Sequence, residues 1–138
     1  MSKIITLEEY AMGRDVLAPE EWEIARPNAI LLLEKVNLLL TELFPDEEFE
    51  VSSGFRPQAL NKALPNAAKR SLHMIGKAID IKDRDGFLRH YLNPKILDAQ
   101  ADLLRALGLW MEDREFCPTW CHLDIGERLD RPSRVFKI

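Results

Sequence analysis

Apolar positions recur at helical spacing through "RPNAILLLEKVNLLLTELFPDEE", where Leu32, Val36, Leu39 and Leu43 fall on one face of a 3.6-residue turn. Pro27 suits the first turn of that helix and Pro45 ends it. Leu31, Leu33, Leu38 and Leu40 widen the apolar surface, which predicts a helix buried on most sides. A leucine-rich face can also serve a partner, although core packing is its commoner use. Upstream, "TLEEYAMGRD" reads as a short helix capped by Thr6, with Glu9 placed to close a capping box. "FEVSSGF" predicts a short strand broken at Gly54, and "RPQALNKAL" a short helix after Pro57. In "GKAIDIKD" the pattern switches to period two: Ala78 and Asp80 on one face, Ile79 and Ile81 on the other. "KDRDG" predicts a turn. "NPKILDAQADLLRALG" predicts a helix capped by Asn93, with Pro94 first and Gly108 as stop. "LGLWMED" and "TWCHLDIG" read as strands, and "RPSRVFKI" has weak strand character.

The order is helices, strand, strand, helix, strand, strand, without a repeating βαβ unit. This predicts an α+β fold with a small antiparallel sheet and helices packed over it. One domain over 1–138 is expected, with N-terminal helices over about 1–45 and a core over about 46–138.

Composition narrows the function classes. Charged residues make up 30% of the chain and hydrophobic ones 46%, as in an ordinary soluble domain. A net charge of −4 and the lack of an interleaved basic and aromatic stripe argue against a nucleic-acid partner, while leaving room for a local basic patch. "MSKIITLEEYAMGRD" has no apolar signal core, and "AILLL" is far short of a membrane span. Cytoplasmic synthesis without a membrane partner is the expectation. Cys117 and Cys121 lack the second cysteine pair of a zinc ribbon and are expected to be reduced, packed thiols.

Chemistry concentrates in "RSLHMIGKAIDI" and "TWCHLDIG". Catalytic zinc commonly takes three His or carboxylate ligands and keeps one position open. His73, Asp80 and His122 could supply such a set. Gly76 and Ala78 are read as sharing the Asp80 face, with little bulk to obstruct an ion and a substrate. An aspartate buried there is costly unless paired or metal-bound. Singly, these residues have ordinary explanations: a structural histidine beside a strand, or an aspartate in a turn or salt bridge.

Together they resemble a known family. "SLHMIGKAID" matches S-x-H-x-x-G-x-A-x-D, the signature of the zinc D-Ala-D-Ala carboxypeptidase and dipeptidase superfamily, which includes phage L-alanyl-D-glutamate endopeptidases and hedgehog-like domains. "SSGFRP" before it, and "GLWMED" and "TWCHLD" after it, resemble that group's flanking segments in the same order, so the likeness covers about residues 50–126. The N-terminal helices look like those of phage-encoded members. The resemblance implies a hedgehog/DD-peptidase-like fold with Zn²⁺ held by His73, Asp80 and His122. It also implies Arg56 near the substrate carbonyl, where its fork could hold an oxyanion or a carboxylate. Ser71 would fix the loop carrying His73, or act simply as a cap.

One position departs from the family pattern. Many members carry the catalytic acid three residues before the final zinc histidine, where this chain has Thr119. A hairpin around Cys117 would set Glu112 opposite His122, and directly opposed residues share a sheet face. Glu112 is therefore the favoured base, with Glu115 and Asp124 as alternatives, since a one-residue slip would reverse its face. Trp120 is read as a cleft wall or a core residue. The implied function is zinc-dependent hydrolysis of amide bonds in peptidoglycan stem peptides, of D,D or L,D type, by an endolysin-like enzyme reaching the wall after release. The alternative is a catalytically impaired, zinc-containing module that binds peptidoglycan or a protein, including as a phage structural component. A monomer is expected.

Overall fold

The computed structural model describes residues 4–64, 71–92, 98–112, 117, 119–128 and 134–136. Three helices come first: α1 (Leu7–Ala11), α2 (Arg14–Leu17) and α3 (Pro19–Leu43). Then follow β1 (Val51–Ser53), α4 (Gln58–Ala63), a 3₁₀ turn (Leu72–Ile75) and β2 (Ala78–Lys82). The rest comprises α5 (Phe87–Tyr91), α6 (Asp98–Leu107), β3 (Trp110–Glu112), β4 (Trp120–Asp124) and β5 (Val135–Phe136).

The capping box at Thr6 forms: its hydroxyl accepts from the Glu9 N–H at 3.1 Å, and the Glu9 carboxylate accepts from the Thr6 N–H at 3.1 Å. Helix α3 begins earlier than its periodicity predicts. Pro19 occupies the start with Glu20 and Glu21 in the first turn, where acidic groups suit the positive end of a helix, and Pro27 lies inside. Packing outweighs the hydrogen bond that Pro27 cannot donate. Ala25 and Ala29 are fully buried, and the Asn28 side chain donates to Ile75 O at 2.9 Å, fastening α3 to the 3₁₀ turn.

Burial on most sides does not hold for α3. Leu32, Val36 and Leu39 are fully buried, but Leu31 and Leu38 are 45% and 56% exposed. The sheet covers one helix face only, so leucines off that stripe remain at the surface.

The sheet has the order β1-β2-β4-β3-β5 and is mixed. β1, β2, β4 and β3 pair antiparallel in turn, whereas β5 runs parallel to β3, with Met111 beside Val135 and Glu112 beside Phe136. The expected all-antiparallel sheet is therefore corrected at this edge. A two-residue strand carries too little alternation to reveal its direction.

Pleating divides the side chains into two sets. Ile79, Ile81, Met111, Cys121 and Leu123 join a core with Leu32, Leu39, Leu88 and Leu104. The opposite face carries Asp80, Glu112, His122 and Asp124, all buried or nearly so. Leu32→Ala should destabilise the protein by about 2–5 kcal/mol in urea unfolding, because it leaves a cavity beneath the sheet. A change below about 1 kcal/mol would show that this site repacks freely.

Helix α5 has a local cause that the sequence pattern did not signal. The Asp83 carboxylate accepts from the backbone N–H groups of Leu88 and Arg89 at 3.0 and 2.9 Å, and from Arg89 Nε at 2.8 Å. Gly108 ends α6 with φ of +70°, as expected, while the predicted cap at Asn93 and Pro94 lies outside the described residues. Among the described residues, no helix is long and apolar enough to cross a membrane.

Candidate metal centre

Asp80 on β2 pairs directly with His122 on the neighbouring β4, so both side chains rise from the same face of the sheet. His73 approaches them from the 3₁₀ turn. Its Nδ1 lies 2.9 Å from Gly54 O, and a carbonyl only accepts, so Nδ1 carries the hydrogen and Nε2 faces Asp80 Oδ2 at 3.2 Å. His122 is held the other way round: Nε2 lies 2.7 Å from Asp124 Oδ2, and Nδ1 lies 2.8 Å from Asp80 Oδ1. Burial disfavours the charged imidazole of His122, but the hydrogen bonds to Asp124 and Asp80 outweigh it and raise its pKa to about 10. Burial likewise opposes ionisation of Asp80, yet His73 and His122 hold its carboxyl well below the usual range.

Two glycines shape the frame around His73. A Cβ at Gly54 would lie 2.0 Å from Tyr10 O, so only glycine lets the end of β1 pass against α1 while presenting its carbonyl to His73. Gly76 has φ of +78°, and a Cβ there would lie 2.3 Å from Ala25 O. It therefore packs on α3 and does not clear space beside Asp80, which corrects the expectation drawn from the alternation. Ala78 does share the Asp80 face. The Ser71 hydroxyl accepts from the His73 N–H at 3.2 Å, which makes it the cap of the 3₁₀ turn.

The donor set fits a divalent ion. Ligand atoms from His73, Asp80 and His122 all lie within 4.8 Å of one another. Two donors bound at about 2.0–2.2 Å to one tetrahedral ion sit roughly 3.3–3.6 Å apart, so small rotations accommodate it. Each histidine offers one nitrogen and has the other fixed by a carbonyl or a carboxylate, the usual support of a metal-bound imidazole. His73 would bind through Nε2 and His122 through Nδ1. The group could hold a metal ion.

Glu112 lies where the hairpin reading sets it. β3 and β4 pair Trp110 with Asp124 and Met111 with Leu123, and one further step in that register brings Glu112 opposite His122. Its Oε2 is 4.0 Å from His122 Nδ1 and accepts from the Cys117 thiol at 3.4 Å. Its buried Oε1 has no hydrogen-bond partner among the described residues. Burial pushes its pKa up, against the pull of His122 and Cys117. The other acids contribute less. Asp124 is fully buried and takes hydrogen bonds from His122, Gly126 N–H and Arg128 at 2.7, 3.0 and 2.5 Å, so it is occupied as a support. Glu115 lies outside the described residues. Thr119 is exposed just before β4, and Trp120 is half-buried at the start of the strand.

Arg56 reaches toward the cluster from the segment after β1. Nη1 donates to Asn61 Oδ1 at 3.1 Å and Nη2 to Ser53 Oγ at 3.3 Å, while buried Nε has no partner among the described residues. Cys117 and Cys121 are free thiols, both fully buried, with pKa values raised first by that burial.

Sequence reading missed the support behind Asp124. Arg128 grips its carboxylate with both terminal nitrogens while lying 3.7 Å over the Phe136 ring centroid. The ion pair itself spans only four residues, but the stacking that holds Arg128 in place depends on β5 docking beside β3, which nothing in the local pattern signals. Asp124→Asn should weaken metal binding by about 10–100-fold in a chelator competition, since the amide still fills the space but removes the charge behind His122.

No protein-family model, curated protein or solved structure gives a significant match to this chain.

Proposed function

We propose that the protein is a zinc-dependent peptidase that hydrolyses amide bonds in peptidoglycan stem peptides, of D,D or L,D type, in the manner of an endolysin. The observation that supports the reading is a pair of buried atoms near the three-ligand group, Glu112 Oε1 and Arg56 Nε, that have no hydrogen-bond partner among the described residues. A buried carboxylate oxygen and a buried guanidinium N–H without partners are expensive in a purely structural cluster and useful in a catalytic one. The ordered motif resemblance supplies the substrate class.

Zinc bound by His73, Asp80 and His122 would act as a Lewis acid toward the scissile carbonyl and acidify a water molecule. Glu112 takes the proton from the attacking water at Oε1 and passes it to the leaving nitrogen. A carboxyl whose pKa is raised by burial suits that return step. Arg56 holds substrate oxygen through its fork. Arg56→Lys keeps the charge but loses the planar fork, so kcat/KM should fall by about 10–10²-fold with little change in Tm. Unchanged kcat/KM in that variant would remove Arg56 from the site.

Incubating zinc-loaded protein with purified sacculi, followed by mass analysis of released fragments, tests the reading and identifies the bond. Thr119 at the family's acid position favours the second reading, a zinc-containing module that binds without cutting. Full zinc occupancy with no fragments from any peptidoglycan type would support that module and reject the peptidase.

A further inference from the structure

The carboxylate of Glu112 is held at one oxygen. Its Oε2 accepts from the Cys117 thiol at 3.4 Å, while Oε1 has no hydrogen-bond partner among the described residues. Glu112 ends β3, and a glutamate side chain has three torsions, the last of them broad and roughly two-fold. An anchor on Oε2 therefore decides where Oε1 points. The anchor is itself fixed from behind. Arg89 Nη1 donates to Cys117 O, and Arg89 Nη2 donates to Asp83 O at 2.6 Å. Arg89 Nε pairs with Asp83 Oδ2 at 2.8 Å, and the Asp83 N–H donates to Thr119 O at 3.0 Å. Cys117, Asp83 and Arg89 are all buried. The backbone at Cys117 and Thr119 is thus tied to the end of β2 and to α5, and the Cys117 side chain is left to serve Glu112.

We propose that Cys117 is a positioning residue: its thiol holds Glu112 Oε2 so that Oε1 alone is presented to the ligand group, and the buried Asp83–Arg89 pair keeps the thiol in place. The role of Glu112 as base rests on the peptidase reading, whereas the thiol–carboxylate contact stands on its own geometry. Cys117 keeps a hydrogen to donate, because burial and the neighbouring Glu112 push its pKa up. Cys121 makes the contrast: it packs into the hydrophobic core on the other face of the sheet, the ordinary place for a reduced thiol. A general base must lie within hydrogen-bond reach of the proton it takes, and a misplacement of about 1 Å can cost about 10²-fold in rate.

The experiment has a spectroscopic arm and a kinetic arm, both on the full-length chain. In infrared spectra of metal-free protein, the S–H stretch lost in Cys117→Ser belongs to Cys117. That band should move to higher frequency in Glu112→Met, which keeps the bulk and removes the oxygen acceptor. An unmoved band would overturn the contact and the proposal with it. In zinc-loaded protein, Cys117→Ala should lower kcat by about 10–10²-fold with KM and zinc content unchanged. Cys117→Ser keeps a donor and should recover most of that loss. Added to Glu112→Gln, Cys117→Ala should lower turnover no further, since residues that act as a unit are non-additive. A full additional loss in that background, or equal losses in the serine and alanine variants, would overturn the positioning role. Cys117→Ser and Glu112→Met decide the contact even if Cys117→Ala fails to fold. A band that moves as expected, in a protein that releases nothing from sacculi when zinc-loaded, would uphold the hold on Glu112 and reject the peptidase.

Discussion

On the proposed peptidase reading, Glu112→Gln should lower turnover of stem peptides by about 10²–10⁴-fold while zinc content and melting temperature hardly change. The size is that of a lost general base. Selectivity for chemistry over folding follows from how Glu112 is held. Glutamine matches it in volume, can still accept from the Cys117 thiol through its carbonyl oxygen, and removes only the ability to take a proton at Oε1. Asp124→Asn should act differently, through metal affinity, so excess zinc should restore much of its rate but none of the rate lost in Glu112→Gln. A wild-type rate in Glu112→Gln, with collapse in Glu115→Gln, would transfer the role of base to Glu115.

His122→Ala should abolish stoichiometric zinc binding. The ring would supply one of three donors, and it links the two carboxylates, Asp80 and Asp124. Loss of a residue behind a ligand weakens binding by about 10–100-fold, so loss of the ligand itself should exceed that range. The same change leaves two buried carboxylates without their shared cation. Breaking such a pair typically costs about 3–5 kcal/mol, so the metal-free variant should also melt earlier than metal-free wild type. Metal analysis after dialysis and a thermal scan give both readings. Full zinc retention in His122→Ala would mean that the ligand set is wrong.

Much of this site was legible because its chemistry lies on strands. Period-two alternation in "KAIDI" and "WCHLD" separates Asp80, His122 and Asp124 from Ile79, Ile81, Cys121 and Leu123. The β3–β4 register, with Trp110 beside Asp124 and Met111 beside Leu123, agrees with a hairpin centred on Cys117, so the partner of His122 could be read from sequence spacing. Contacts set by long-range docking were not legible. The role of Gly76 depends on α3 crossing within reach of its Cα, and Arg128 reaches Phe136 only because the tail runs parallel to β3. The early start of α3 was hidden by Pro27, whose local preference for a first turn is overridden by packing of Ala25 and Ala29 on the His73 turn. Helix α5 was missed because its cap, Asp83, acts from outside the helix at a spacing no short motif describes.

The proposed metal centre is tested most directly by a crystal structure of the zinc-loaded protein with anomalous data collected at the zinc absorption edge. One peak per chain should lie about 2.0–2.2 Å from His73 Nε2, from an Asp80 carboxylate oxygen and from His122 Nδ1, with Asp124 still bound to His122 Nε2. A structure at full zinc occupancy with no peak among these three side chains, or with His122 bound through Nε2, would contradict the assignment.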